Sequence, residues 1–467
     1  MPLDFNVKRR TLGVAQKAFV AAVVITILNY GSTGDTERHY VVIAFALLAG
    51  LSAIRPLSAA VGRLHGAAIL LLAALAIYIF LQAMPFAAGD FANGAWKSVN
   101  EKVGPVMATI SVAPTTTLES IPSLALPFFV FLSALSLFQG DSEALWLWRA
   151  LAYFGVGYAV FGILQEIFLP QQLFLTDKTH YVGSLTATFV NRNTAGTFFG
   201  LALLLNLGLV FSYLRDTRVQ GFLRRIMQFE MSWRDKYGLA VLHIVYCLTV
   251  AVALVLTQSR GASASSFIGA AVGIILMSGW LLKADASGGV WARNRPLLAP
   301  VIGLVLLAVI FETFSGRVAY RIQEEGVDQS RWCTYASTLE AIKDHPLFGS
   351  GFGTFRDVFP LYRNVDCVGI FSIWDKAHNS FLEGYLGLGL PFALALLIGY
   401  ATLTAILIRG MRTRRSLRFA PVMAFAALTL VTLHALVDFS LQIPGLNVFF
   451  AAMLAVGVTT ALARSRT

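Results

Sequence analysis

Residues 375–408, DKAHNSFLEGYLGLGLPFALALLIGYATLTAILI, pass from a charged stretch through one histidine into a long apolar run. No charged residue follows Glu383 before the run ends. The hydrocarbon core of a bilayer is about 30 Å thick, and a helix of about 20 apolar residues crosses it. This stretch therefore predicts a membrane-spanning helix, with His378 at the point where the chain enters the membrane.

The composition of the whole chain extends this interpretation. Hydrophobic residues make up 57% of the 467 residues and charged residues only 13%, and the mean hydropathy is +0.70. A soluble globular domain needs more charge than this to cover its surface. The basic residues Lys8, Arg9 and Arg10 precede the first apolar run, and no small-residue cleavage site follows it, so we expect no cleavable signal. The predicted fold class is all-α, a polytopic helical membrane protein.

The apolar runs divide the chain into spans and loops. Residues 1–314 hold nine spans and an outer loop at 85–120, residues 315–378 form a large, partly helical loop between spans nine and ten, and residues 379–467 hold three more spans. The twelve predicted spans lie at about 16–31, 39–54, 66–84, 121–139, 146–169, 185–214, 238–257, 262–282, 296–314, 379–408, 419–440 and 446–462.

Basic residues predict how these spans are oriented. They crowd the loops at 215–236, 283–295 and 409–418 and both ends of the chain, which twelve spans place on one side of the membrane. The positive-inside rule makes this side cytoplasmic, with both termini. The net charge of +11 is therefore a topology signal. It does not indicate nucleic-acid binding, because the basic residues flank spans and are not interleaved with aromatic residues.

Cys333 and Cys367 lie in the large outer loop, where an oxidising compartment permits a disulfide, while Cys247 lies within a span.

Two stretches place polar groups where apolar helices reach the outer face. In ATFVNRNTAG, 187–196, the residues Asn191, Arg192 and Asn193 either line a polar cavity or form a helix cap beside a snorkelling arginine. In LTQSRGASAS, 256–265, Arg260 is the only charge between two strongly apolar helices. Charges at membrane depth are costly and usually functional, although an interfacial anchor is the alternative here.

The large loop adds further arginines. Residues 328–355, DQSRWCTYASTLEAIKDHPLFGSGFGTF, predict a helix that His345 and Pro346 end, followed by a glycine-rich turn that lets the chain fold back on the membrane. Arg331 lies at the N-terminus of this helix, which is the positive end of the helix dipole. A cation is unfavourable there unless the site must hold an anion. Arg317 and Arg321 are weaker candidates, because Glu324 and Glu325 offer them ordinary ion pairs.

Two histidines complete the set of candidates. His378 precedes Asn379, a good helix-capping residue, and histidine is the side chain best suited to exchange a proton near neutral pH. His434 and Asp438, in LHALVDFSLQIP at 433–444, stand four residues apart and are predicted to share one face of span eleven, as a structural network or as support for the site.

Outward-facing arginines with one histidine indicate a particular chemistry. Guanidinium groups bind phosphate in a bidentate manner and stabilise charge on a departing pyrophosphate, and a histidine can deprotonate an attacking hydroxyl. The sequence holds no Asp-x-Asp pair, and the outer loops offer no carboxylate cluster for a divalent ion. We therefore expect neither a metal nor another cofactor.

The motifs FVNRN, TQSRGA, SRW followed by HPLFGSGFGTF, and AHNSFLEGYLGLGL resemble the bacterial O-antigen ligase and O-antigen polymerase superfamily, most specifically over about 187–390. This resemblance implies a metal-independent, inverting glycosyltransferase of the bacterial inner membrane with its active site facing the periplasm. The donor would be a glycan on undecaprenyl pyrophosphate, and the acceptor lipid A core or another glycan. The family's essential arginines would correspond to Arg260 and Arg331, with Arg317 an alternative, and its essential histidine to His378.

Other functions stay open beside a ligase. An O-antigen or exopolysaccharide polymerase would share the fold and the donor. A lipid-linked glycan transporter or flippase would also suit twelve spans, but it would need polar groups near the midplane and a repeat between halves, which the sequence does not show. A cell-wall glycan polymerase of the shape-and-division type would need a catalytic aspartate in an outer loop, and Asp366 and Asp375 match this poorly.

Overall fold

The structure of the protein is a computed structural model that describes residues 5–85, 92–104, 106–215, 228, 232, 235–281, 329–364 and 373–463. This part of the chain is mostly helical, with one antiparallel hairpin in which β1, Gln172–Leu173, pairs with β2, Thr176–Asp177. The helices α1 to α16 are, in chain order, Phe5–Leu28, Asp35–Ser52, Ala59–Ala83, Ala95–Val103, Pro114–Glu119, Ile121–Leu137, Asp141–Phe168, Arg192–Leu214, Lys236–Leu256, Arg260–Leu281, Gln329–Asp344, Phe355–Val358, Ser380–Leu388, Leu390–Thr413, Phe419–Ala435 and Pro444–Leu462. Short 3₁₀ turns lie at Tyr30–Ser32, Phe359–Tyr362 and Ser440–Gln442.

The described helices confirm a multi-pass helical membrane protein. Nine of them are long and apolar enough to cross a membrane: Thr11–Leu28, Ala59–Ala83, Pro114–Leu137, Asp141–Phe168, Arg192–Leu214, Lys236–Leu256, Arg260–Ser278, Leu390–Thr413 and Pro444–Leu462. The number twelve stays a prediction. The span expected at 296–314 lies outside the described residues, and so does the start of the large loop. Helix α2 covers most of the span expected at 39–54. It begins with the charged residues Asp35, Glu37 and Arg38, and it is not among the nine helices named above.

The sixth predicted span starts later than its apolar run. Helix α8 begins at Arg192, where the Asn191 side chain accepts a hydrogen bond from the Asn193 backbone N–H at 2.8 Å. The preceding residues form an irregular buried segment. Its backbone needs partners from neighbouring elements, because an apolar environment offers none. Leu185 N donates to the carbonyl of Leu256 at 2.9 Å. The prediction of a helix from residue 185 was wrong, because the apolar run begins with this irregular segment and the helix starts only at Arg192.

The tenth predicted span, 379–408, is two helices. A break at Gly389, with φ of 62°, separates α13 from α14. At this glycine a Cβ atom would lie 2.5 Å from the carbonyl oxygen of Leu347, so no larger side chain fits there. The backbone N–H of Leu390 then donates to the same carbonyl at 3.0 Å. The short helix α13 therefore belongs to the end of the bundle, and α14 makes the crossing.

The centre of the bundle is formed by α16, which is buried along nearly its whole length and packs against α6, α15 and α14. Helix α8 is also largely buried and lies between α9, α10 and α15. The Phe198 and Phe449 rings join these two helices, with their centroids 4.5 Å apart. Helix α14 has a different environment, because Leu394, Leu397 and Ile398 are all exposed on its outer face. Such residues suit contact with lipid.

One buried glutamine, Gln82, connects three segments of the chain at the end of the bundle that carries His378. Gln82, at the end of α3, donates from Nε2 to the carbonyls of Phe348 and Gly387 at 2.7 and 2.9 Å. Its Oε1 accepts from the Phe352 backbone N–H at 3.2 Å. The glycine-rich segment thus folds back onto α13, with positive φ angles at Gly349, Gly351 and Gly353. Its expected return to the membrane stays a prediction.

The loop helix expected from the sequence is present as α11, Gln329–Asp344, and it ends where His345 and Pro346 follow. Cys333 on this helix is disulfide-bonded, and Cys247 in α9 is free. Cys367, the expected partner of Cys333, lies outside the described residues. Helix α11 packs against α13, which begins directly after His378 and Asn379.

Candidate active site

His378 is held by contacts with three other residues. Its backbone has a φ of 53°, a left-handed conformation that is uncommon for a residue with a side chain. The Tyr335 hydroxyl on α11 donates to the His378 carbonyl at 2.9 Å. The imidazole lies edge-on to the rings of Trp374 and Phe439, at centroid distances of 5.4 and 4.9 Å. Strained backbone at a polar residue is typical of functional sites.

Asn379 has the structural role that the sequence suggested. Its side chain accepts hydrogen bonds from the backbone N–H groups of Phe381 and Leu382, both at 3.0 Å, and caps α13. The cap fixes where α13 begins and therefore where the preceding histidine points.

The imidazole of His378 faces a buried carboxylate. Its Nδ1 lies 3.8 Å from Oδ2 of Asp438, which is only 1% exposed. This is an ion-pair distance and longer than a hydrogen bond. Nδ1 is buried and has no hydrogen-bond partner among the described residues. The Asp438 carboxylate therefore faces this nitrogen at ion-pair distance without a hydrogen bond between them.

Asp438 is held by hydrogen bonds from two other segments. Asn193 Nδ2 donates to its Oδ2 at 2.7 Å. The backbone N–H of Ser440 donates to Oδ1 at 2.9 Å, and the Ser440 hydroxyl also donates to Oδ1. Asn193 is itself oriented by the Ser259 hydroxyl, which donates to Oδ1 of the amide at 2.8 Å. These bonds link the start of α8, the turn before α10 and the turn after α15.

The carboxylate of Asp438 is strongly stabilised in its charged form. Burial by itself would raise the pKa, but the imidazoles of His378 and His434 and the Ser440 hydroxyl more than offset this, and together they lower the pKa to about 2. Asp438 is therefore ionised at any working pH and accepts hydrogen bonds only.

His434 does not share a helical face with Asp438, and this prediction was wrong. Helix α15 ends at Ala435, so Asp438 follows in a non-helical turn. The buried His434 imidazole makes its hydrogen bond with the Thr197 hydroxyl on α8, at 2.8 Å from Nδ1. The two residues still belong to one buried polar cluster, which is bound together through α8.

Two arginines border this cluster near Val437. Arg331 Nη1 on α11 donates to the Val437 carbonyl at 3.4 Å. Arg260 is the exposed first residue of α10. The next residue, Gly261, packs so closely that a Cβ atom there would lie 3.2 Å from Cγ2 of Val437. Both arginines thus stand where the chain turns toward Asp438, while Arg317 and Arg321 lie outside the described residues.

A cavity of about 820 Å³ opens on another side of His378. Asn191 lines it, and Arg192 packs its guanidinium over the ring of Tyr181, 5.2 Å from the centroid. Asn191 therefore combines both interpretations of the FVNRN stretch, because it caps α8 and also faces the cavity. Of the predicted trio, Asn193 is the residue that reaches Asp438.

Several residues of this site were not predicted. Ser259, Ser440, Tyr335, Trp374 and Phe439 contact the network or the imidazole. Ser259 carried a signal, because it precedes Arg260 in a polar interruption between two apolar helices. Trp374 and Phe439 carried none beyond being aromatic near an outer face. In the described part of the chain, no three His, Cys, Asp or Glu side chains are grouped so that they could hold a metal ion.

Comparison with known proteins agrees with the motif resemblance. A profile of the O-antigen ligase family matches residues 245–398, which include Arg260, Arg331 and His378 but neither Asn193 nor Asp438. No curated protein matches the chain significantly. The match confirms the resemblance found in the sequence, since residues 245–398 are similar to the O-antigen ligase family within the O-antigen ligase and polymerase superfamily.

Proposed function

We propose that the protein is an O-antigen ligase-like, inverting glycosyltransferase that moves a glycan from undecaprenyl pyrophosphate to a periplasmic acceptor, either lipid A core or a growing surface polysaccharide. The observation that carries this proposal is the position of His378. One ring nitrogen faces the ionised Asp438, and the side chain lines a cavity. Arg331 bonds to the Val437 carbonyl, and Arg260 precedes Gly261, which packs against Val437.

His378 is the proposed base. The Asp438 carboxylate favours the tautomer with a proton on Nδ1, which leaves the Nε2 lone pair free for an acceptor hydroxyl. The acceptor oxygen attacks the anomeric carbon of the donor as its proton passes to Nε2. Asp438 acts through the imidazole by orienting it and by stabilising its charged form.

Arg260 and Arg331 are the proposed pyrophosphate ligands. As the new glycosidic bond forms, the bond from the anomeric carbon to the phosphate oxygen breaks, and its electron pair leaves with undecaprenyl pyrophosphate. Guanidinium groups stabilise this charge without a proton transfer, so the step is proposed to need no metal ion. Attack opposite the leaving group inverts the anomeric configuration.

The proposed orientation puts the His378 end of the bundle in the periplasm and both termini in the cytoplasm. Support comes from α14, which begins beside the site at Leu390 and ends in a basic stretch with Arg409, Arg412 and Arg414. Arg414 forms an ion pair with Asp141 at the start of α7, with 2.6 Å between Nη2 and Oδ2. This basic end is the one that the positive-inside rule assigns to the cytoplasm.

A deletion strain tests the reaction and separates its two forms. Surface glycans and undecaprenyl-linked glycans are separated on gels and compared with those of the parent strain. Full-length polymer accumulating on the lipid carrier, with none on lipid A core, is the result expected of a ligase. Single repeats attached where long chains belong identify a polymerase. An unchanged pattern of both glycan pools contradicts the proposal of an O-antigen enzyme and directs attention to exopolysaccharide.

A further inference from the structure

The chemistry proposed above leaves one part of the site without a role, namely the cavity of about 820 Å³ beside His378. Its walls come from separate segments of the chain. They include Tyr181 and Asn191 before α8, Trp374 before α13, and Phe439 after α15. Neither Arg260 nor Arg331 lines it. The cavity, which His378 lines, and the two arginines near Val437 are therefore two distinct parts of the site.

The charges of the cavity are compensated by the protein itself. Lys376 forms an ion pair with Glu383, with 3.3 Å between Nζ and Oε1. Asp375 forms an ion pair with Arg356, with 3.4 Å between Oδ1 and Nη1. A pyrophosphate needs cations that are available to it, as Arg-based phosphate sites illustrate. This cavity suits a neutral, hydroxyl-rich ligand better than an anionic one.

The aromatic walls point to the same kind of ligand. Trp374, Tyr181 and Phe439 offer ring surface, and Tyr181 and Asn191 add polar groups. The indole Nε1 of Trp374 is buried and has no hydrogen-bond partner among the described residues. This nitrogen is closed off from the cavity, so the polar groups that a ligand meets there include those of Tyr181 and Asn191. A sugar presents C–H surface to aromatic rings and hydroxyl groups to such donors.

We propose that this cavity is the subsite for the acceptor glycan, with Trp374 and Tyr181 as residues that determine its affinity. The proposal rests on the glycosyl transfer proposed above and divides the site between the two substrates. The donor pyrophosphate binds on the arginine side of Val437, the acceptor sugar binds on the aromatic side, and His378 reaches the acceptor hydroxyl at the boundary. Mutations on the two sides should therefore separate acceptor binding from donor binding.

Binding without turnover tests this division, because each substrate is inert without the other. Full-length protein in nanodiscs is titrated by calorimetry with two glycans freed from lipid, the core oligosaccharide and a single O-antigen repeat, and separately with sugar-free undecaprenyl pyrophosphate. The variants are Trp374→Ala, Trp374→Phe, Tyr181→Ala and Arg331→Ala. Trp146→Ala is the matched control, because Trp146 is 42% exposed and lines a different cavity with Lys17 and Glu143.

We expect Trp374→Ala and Tyr181→Ala each to weaken binding of the preferred glycan by about tenfold and to leave undecaprenyl pyrophosphate binding unchanged. Arg331→Ala should do the reverse, and the control should alter neither. Trp374→Phe keeps most of the ring packing against Phe359 and removes the N–H, so its loss of glycan affinity should be smaller. This variant keeps the test valid if the alanine variant misfolds.

Two results would contradict the proposed acceptor subsite, and both can be distinguished from a failure of the proposed function. If wild-type protein transfers glycan but Trp374→Ala and Tyr181→Ala bind the glycan normally, the acceptor binds elsewhere. If these variants lose undecaprenyl pyrophosphate affinity instead, the cavity belongs to the donor. A wild-type protein that neither binds undecaprenyl pyrophosphate nor transfers glycan contradicts the proposed function itself, whatever the cavity binds.

Discussion

Asn193 donates a hydrogen bond to Asp438 at 2.7 Å, across a sequence separation of 245 residues. This bond links the N-terminus of α8 to the turn after α15 and orients the carboxylate that His378 faces. It also joins a segment upstream of the matched family region to one downstream of it. The site is therefore a property of the whole bundle, and variants in any of these segments are expected to affect catalysis.

Replacing His378 with alanine should abolish transfer and leave donor binding intact. The imidazole is the proposed general base, and such a group typically contributes about 10²–10⁴-fold to the rate. Initial rates with saturating donor and acceptor measure the loss, and a donor titration checks binding. His39→Ala is the control, because His39 is exposed and bonds only to the carbonyl of Asp35 within α2. A His378→Ala variant with full activity would assign the base to another group.

Replacing Asp438 with asparagine should lower kcat by roughly 10²-fold with little change in the KM for donor, because the imidazole loses its orienting charge. The double variant His378→Ala and Asp438→Asn should be no slower than His378→Ala alone, since the carboxylate acts only through the ring. Asp177→Asn in the exposed hairpin is the control. Additive losses in the double variant would mean that Asp438 acts independently of His378.

Asp438 also makes stability depend on pH in a defined direction. Its pKa in the folded protein, about 2, lies below the ordinary value of 3.8, so ionised Asp438 stabilises the fold above about pH 4. This contribution is lost as the pH falls from about 4 toward 2. Melting temperatures of wild-type and Asp438→Asn protein in detergent should therefore converge as the pH is lowered from about 4 to about 2. A constant difference across this range would show that the carboxylate is not specially stabilised in the folded state.

Arg331 should contribute to the kcat/KM for the donor substrate, and lysine at this position should restore the value only in part. Arg331→Ala is expected to lower kcat/KM for donor by about 10²–10³-fold, because it removes a donor of hydrogen bonds to the leaving pyrophosphate. Arg331→Lys restores the charge without the bidentate geometry and should be intermediate. Lys343→Ala, an exposed cation on the same helix, is the control. Equal activity of the lysine variant and wild type would indicate a purely long-range electrostatic role.

Gln82 should be a determinant of stability rather than of chemistry. Gln82→Leu removes three hydrogen bonds between α3, the glycine-rich segment and α13, including the one that the Phe352 backbone N–H donates to Gln82. We expect a loss of about 2–4 kcal/mol in the free energy of unfolding. Thermal unfolding measures this, with Gln139→Leu as the control, since Gln139 makes exposed or partly buried bonds to Pro56 and Ser136. Wild-type stability of Gln82→Leu would mean that these segments are held by other contacts.

Individual residues of the site differ in how far the sequence predicted them. The positions of His378 just before a helix and of Arg331 at the head of a loop helix were predicted correctly, because capping and helix-ending residues are local signals. Their catalytic roles stay predictions. His434 and Asp438 were wrongly assigned to one helical face, because an apolar run continued past Ala435 while the chain had already turned. Phe439 was missed because it is distant from His378 in sequence. Trp374 was missed because the non-helical chain between it and His378 has no periodicity that predicts which side chains meet.

The sequence by itself determined that this chain crosses a membrane as helices, because long apolar runs with so little charge have no other stable way to satisfy their backbone polar groups in lipid. It also determined the superfamily, through an ordered set of short motifs. Only the tertiary structure decided where the helices break and which polar groups meet. Gly389 interrupts an apolar run because the backbone of the glycine-rich segment approaches it closely. Asn193, Asp438 and His378 converge because α8 packs against α15 and because the Ser380 hydroxyl at the start of α13 donates to the Asp438 carbonyl. No local pattern encodes such contacts.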